Sequence, residues 1–267
     1  MFFKSFGKSF RIGERPLVIT SASQLPNLEV WYYADVNTNV GVTTGQEVSA
    51  WANAGGLTSH DWNSTGGKRP EWFSNIQNGK GVVRFNGTTA GSPTGEDADT
   101  DEFLSINPVT YINSLSGATL VILFRSLSVA SGIRYVSSTD VGGFQFGVNG
   151  TQYIGGFAGA TFSIDTAVAD TNFHHIVLTF DGTQADNASR LKARLDGDPV
   201  TLTFTGTVGT ATSGLAGYLF GGCTGTGASK QSNYWVGDLG EYLIWTRALN
   251  TSETLAVEQY LTNKWAV

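Results

Sequence analysis

The densest group of reactive side chains in this sequence is an acidic run, Glu96, Asp97, Asp99, Asp101 and Glu102, in a Gly-, Pro- and Thr-rich segment before the strand-like stretch 103–106. Closely spaced carboxylates offer hard oxygen donors of the kind calcium takes, so Asp97, Asp99, Asp101 and Glu102 are the candidate metal ligands, set against the leading reading of a solvated acidic loop. The spacing is not that of an EF-hand: a loop beginning at Asp97 has Glu102 where Gly is required and Pro108 at its twelfth position. A second chemistry belongs to residues 51–75, where Trp51, Trp62 and Trp72 stand among Asn53, His60, Asp61, Asn63 and Asn75. Aromatic rings stack on sugar faces while amides and carboxylates bond the hydroxyls. Trp62, Trp72, Asp61 and Asn63 are the expected carbohydrate-binding set. The paired His174 and His175 make a poor metal site, because adjacent residues of a strand point to opposite faces, the third histidine, His60, is remote, and the one cysteine, Cys223, reads as a small buried hydrophobe. The Gly-rich stretch 221–229 lacks the Lys-Ser/Thr ending of a phosphate loop and reads as a turn.

Residues 1–26 differ from the rest. Lys4, Lys8, Arg11 and Arg15 face a single acid, Glu14, in a chain whose formal net charge is −6. Phe2, Phe3, Phe6 and Phe10 are interleaved with Lys4, Lys8 and Arg11, a sticky, positively charged pattern expected to be buried on a neighbouring subunit as an assembly anchor. The alternative is an edge strand and frayed terminus of the same domain. So few cations, on a chain that is acidic overall, argue against nucleic acid, and no apolar segment is long enough for membrane insertion.

These side chains need a scaffold, and the composition points to an all-β one. The 34 glycines and the short apolar runs between Gly, Asn, Asp and Ser clusters indicate frequent turns, and no linker divides the chain after residue 26. The apolar stretch 119–124 predicts a central strand covered on both faces. In 174–180, His174, Ile176, Leu178 and Phe180 alternate with His175, Val177 and Thr179; Leu191, Ala193 and Leu195 before Asp196-Gly197, with Val200, Leu202 and Phe204 after it, predict a hairpin. At the C-terminal end a strand around 242–245 gives way to one helix. Asn250 and Glu253 supply a capping box, and Val257, Tyr260, Leu261 and Trp265 recur on one helical face.

Several blocks carry a resemblance. Arg247-Ala248-Leu249 leading to Lys264-Trp265, the opening stretch 25–56, GKGVVRFN at 79–86, FHHIVLTFDG at 173–182 and RLKARLDG at 190–197 are similar, in order, to the laminin-G-like jelly-roll modules of the concanavalin A-like lectin and glucanase superfamily. The resemblance implies a two-sheet antiparallel jelly-roll sandwich over residues 27–267, following an N-terminal arm at 1–26 and ending in a short C-terminal helix. It also implies core positions for Trp31, Trp51, Trp245 and Trp265, and related modules carry calcium near a rim loop. Asp97-x-Asp99-x-x-Glu102 resembles the E-x-D-x-x-E signature of the superfamily's retaining β-glucanases. Asp97 stands where the nucleophilic glutamate would be, and the run precedes its strand instead of lying on a rigid concave one. Such modules usually work outside the cell, yet the stretch after Met1 is broken by basic residues and no export signal is recognised. The leading expectation is a non-enzymatic phage virion protein, a capsid decoration or tail-associated component. It would fold in the host cytoplasm, form a homo-oligomer on capsid or tail proteins, and meet host-surface glycans after lysis. A secreted carbohydrate-binding lectin module is the alternative, and a β-glucanase-like hydrolase the second.

Overall fold

The computed structural model describes residues 16–35, 41–55, 62–63, 69–86, 102–106, 111–129, 132–139, 144–212, 218–224, 231–232 and 234–267. Among these, two nine-stranded antiparallel sheets face each other, and one long helix, Thr251–Trp265, lies on the outside of one of them. The chain folds as a jelly-roll sandwich with a C-terminal helix. The helix-side sheet runs from Asp198–Val200 through Leu191–Leu195, Phe173–Asp181, Gly117–Ser126, Val236–Trp245, Lys80–Asn86 and Glu71–Gln77 to Gln46–Glu47, and Leu28–Tyr33 also pairs with Val236–Trp245. The far sheet runs from Leu202–Thr205 through Ala160–Val168, Gln152–Phe157, Gln145–Asn149 and Ile133–Thr139 to the short strands Tyr218–Phe220, Leu104–Ile106, Trp62–Asn63 and Ala50–Trp51.

Strand Gly117–Ser126 shows why its apolar run is unbroken. Leu120, Ile122 and Phe124 point between the sheets, while Val121 and Leu123 point out beneath the helix, where they meet Val82, Val177, Leu243, Trp245, Val257, Leu261 and Trp265. Both faces are therefore dry. Phe173–Asp181 alternates as the sequence predicts, with Ile176, Leu178 and Phe180 inward and Val177 outward. The helix begins where expected: the Asn250 side chain accepts from the Glu253 N–H (3.0 Å), and the Glu253 carboxylate accepts from the Asn250 N–H (2.9 Å). Arg247 grips the same carboxylate through both terminal nitrogens at 2.8 Å, and these bonds, with burial opposing, hold the Glu253 carboxyl below its usual range.

Three expectations need correction. The hairpin is real but shorter: Asp196 (φ 50°) and Gly197 (φ 83°) turn the chain as a primed turn requires, yet pairing stops at Val200. Leu202–Thr205 crosses to the far sheet and pairs with Ala160–Val168, because alternation alone does not say which sheet a strand joins. Second, the packed unit starts before residue 27. Ile19, Ala22 and Leu25 are buried in the outer cluster, and the 3₁₀ turn Ala22–Gln24 is held by a Ser21–Gln24 capping box, so residues 19–25 belong to the sandwich. Third, Trp72 is core: it is 6% exposed, and its indole N–H donates to the Ala34 carbonyl at 2.8 Å. No open face of it remains for a sugar. The anchor residues Phe2, Phe3, Lys4, Phe6, Lys8, Phe10 and Arg11 lie outside the described residues.

Candidate functional site

The strand Leu28–Tyr33 and the residues just after it build the most chemically equipped surface. Val30, Tyr32 and Ala34 point into the inter-sheet core, which turns Trp31, Tyr33 and Asp35 to the other face. The Trp31 and Tyr33 rings are half-buried and in contact, with centroids 4.7 Å apart and planes inclined by 38°. They line a cleft of about 520 Å³ together with Asp35, Lys80, Asn263 and Lys264. One side of the Tyr33 ring carries the Lys264 ammonium, 4.8 Å from its centre.

One buried carboxylate fixes these walls. A register shift between Leu239 and Glu241 bulges the strand Val236–Trp245 at Gly240, so that Glu241 points outward beneath the helix instead of into the inter-sheet core. Gly240 leaves the space this packing uses: a Cβ would sit 2.7 Å from the Leu123 side chain and 3.0 Å from the Trp265 ring, so one of them would have to shift. Glu241 is fully buried and accepts from Trp31 Nε1 (3.2 Å), the Tyr260 hydroxyl (3.1 Å) and Trp265 Nε1 (2.9 Å), and it pairs with Lys264 Nζ at 2.6 Å. Burial, then the adjacent Glu241 charge, pushes the Tyr260 hydroxyl far above its ordinary range, so it stays a donor. Lys264 also reaches Asp35 at 3.0 Å, linking strand, helix and cleft rim. Asn53 braces the strand from behind, accepting from the Trp31 backbone N–H and donating to the Glu29 carbonyl.

The anticipated sites fare differently. Trp62 and Asn63 form a short strand paired with Ala50–Trp51; Asp61 lies outside the described residues, as do Asp97, Asp99 and Asp101. Glu102 accepts from the Asn86 N–H at 2.8 Å, and its carboxyl is pushed up to about 7, chiefly by burial. Among the described residues no three His, Cys, Asp or Glu side chains are grouped to hold a metal ion. The histidines diverge: both ring nitrogens of His174 meet carboxylates, Asp196 at 2.6 Å and Asp170 at 2.9 Å, whereas His175 is 1% exposed with neither ring nitrogen hydrogen-bonded. A second cleft, of about 440 Å³ between Thr179, Lys192 and the start of the helix, has no aromatic ring in its walls among the described residues. Sequence reading expected Trp31 in the core; the missed signal was the alternation Trp31-x-Tyr33-x-Asp35, which sets two rings and a carboxylate on one strand face.

No protein-family model matches the chain, and no curated protein matches it. Solved structures share the fold. The binding domain of Paraclostridial Mosquitocidal Protein 1 is 14% identical with a TM-score of 0.59, over 89% of this chain and 53% of that one. The Botulinum Neurotoxin Type G receptor binding domain is 11% identical with a TM-score of 0.54, over 89% and 51%. The Trypanosoma rangeli sialidase in complex with the inhibitor DANA is 14% identical with a TM-score of 0.50, over 86% and 32%. The chain thus spans about half the length of each toxin domain and about a third of the sialidase. At these identities the likeness shows the fold, a β-sandwich of jelly-roll type.

Proposed function

We propose that this chain is a carbohydrate-binding module that holds its ligand without hydrolysing it, in the cleft walled by Trp31 and Tyr33. The observation that carries the reading is that pair of half-buried rings beside polar side chains: Asn263 accepts from or donates to hydroxyls, Lys80 donates, and the rings give apolar C–H faces a surface to pack on. That the same fold serves as a receptor-binding domain in a neurotoxin supports a recognition role. Most glycosidases act through two carboxyl groups free to reach one bond. Here Glu241 is sealed beneath Trp31, Tyr260, Trp265 and Lys264, leaving Asp35 as the one carboxylate in the cleft wall among the described residues.

A glycan array probed with the wild-type protein and with Tyr33→Ala tests this. Saturable binding by the first and its loss in the second, with both proteins folded, is the expected result; equal binding by both places the site elsewhere.

A further inference from the structure

Resting on the glycan reading, we infer that the ligand is an anionic sugar, a pyranose bearing a carboxylate or a sulfate ester, and that Lys80 is the residue that selects it. The cleft has two ammonium groups with different duties. Lys264 is spent internally, on Glu241 at 2.6 Å, Asp35 at 3.0 Å and the Tyr33 ring. Lys80, at the start of strand Lys80–Asn86, lines the same cleft and has no ion-pair partner among the described residues. It stands close to Asp35, since the Gly81 N–H donates to the Asp35 carbonyl at 3.2 Å, but that acid's charge is already taken up by Lys264. Counting Glu241, the two lysines and two acids sum to zero, and of these four only the Lys80 ammonium has no ion-pair partner among the described residues. A ligand anion beside Lys80 supplies that partner. The chain's overall charge of −6 does not cancel this locally, because beyond a Debye length of about 8 Å exposed charges are largely screened.

The test is a printed array of matched pairs differing only in charge: oligogalacturonates with their methyl esters, and sulfated galactans with their unsulfated forms. It is probed with wild type, Lys80→Gln and Lys192→Gln, an exposed cation outside the cleft. The charged member of a pair is expected to bind about tenfold more tightly, the scale of one charge-assisted hydrogen bond. That advantage should shrink as salt rises, vanish in Lys80→Gln and persist in Lys192→Gln. Preference for the carboxylated or for the sulfated pair distinguishes the two sources of the anion. Equal binding of charged and neutral members, or a preference that survives Lys80→Gln, overturns the inference while leaving the glycan reading intact; absence of binding to every sugar overturns both.

Discussion

His174 and His175 are neighbours with opposite electrostatics, and each sets a different edge of the pH range of stability. For His174 burial alone would lower the pKa, but hydrogen bonds to Asp196 and Asp170 outweigh it and raise it; a ring bonded to carboxylates at both nitrogens is the imidazolium. Its folded value lies above the unfolded one of about 6.5, so its stabilisation is complete below that pH and is lost as pH rises through the folded value. His175 is lowered, first by burial, so the folded protein resists its proton and stability falls as pH drops from about 6.5 towards the depressed value. Urea midpoints of wild type and variants compared from about pH 5 to 9 separate these contributions from that of Glu102, whose raised carboxyl makes stability fall as pH climbs towards about 7. His174→Asn should lose the alkaline decline and roughly 1–3 kcal/mol at acid pH, and His175→Phe should lose the acid decline; a difference from wild type that does not change with pH contradicts the assignment for that histidine. Glu241, buried behind the cleft wall, is costly to remove. Glu241→Ala leaves Lys264 and three donors facing a void, and chemical denaturation should show a loss of about 3–5 kcal/mol.

At the scale of elements, the helix Thr251–Trp265 covers the outer face of one sheet and supplies Tyr260, Asn263 and Lys264 to the cleft. Leu261 is fully buried beneath it, so Leu261→Ala should cost about 2–5 kcal/mol, and Asn250→Ala about 1 kcal/mol through the lost cap. Thermal unfolding checks both, and a neutral Leu261→Ala would mean the helix is not docked. This helix was legible in the sequence because its signals are local: a capping box and apolar residues at helical spacing. The double-sided strand Gly117–Ser126 was legible for the same reason. What escaped was non-local. The crossing of Leu202–Thr205 to the far sheet depends on which partner a strand finds, and Trp72 and Trp31 exchanged roles because exposure is set by neighbours distant in sequence, Ala34 for one and Glu241 for the other. The outward turn of Glu241 depends on a bulge that no residue pattern announced.

For the whole molecule, the sandwich holds an aromatic cleft at the junction of its first strand, the start of strand Lys80–Asn86 and its closing helix, three segments that only the finished fold brings together. Assembly through the basic, Phe-rich arm remains a proposal from the sequence; removing residues 1–15 should then reduce the mass seen by light scattering, and an unchanged mass would contradict it. The central claim is that sugars bind on Trp31 and Tyr33. Calorimetric titration of the best array glycan into wild type and into Trp31→Ala, each shown to be folded by a cooperative thermal transition, tests it most directly. A loss of tenfold or more, about 1.4 kcal/mol, in the variant is the predicted result, and unchanged affinity would contradict the account.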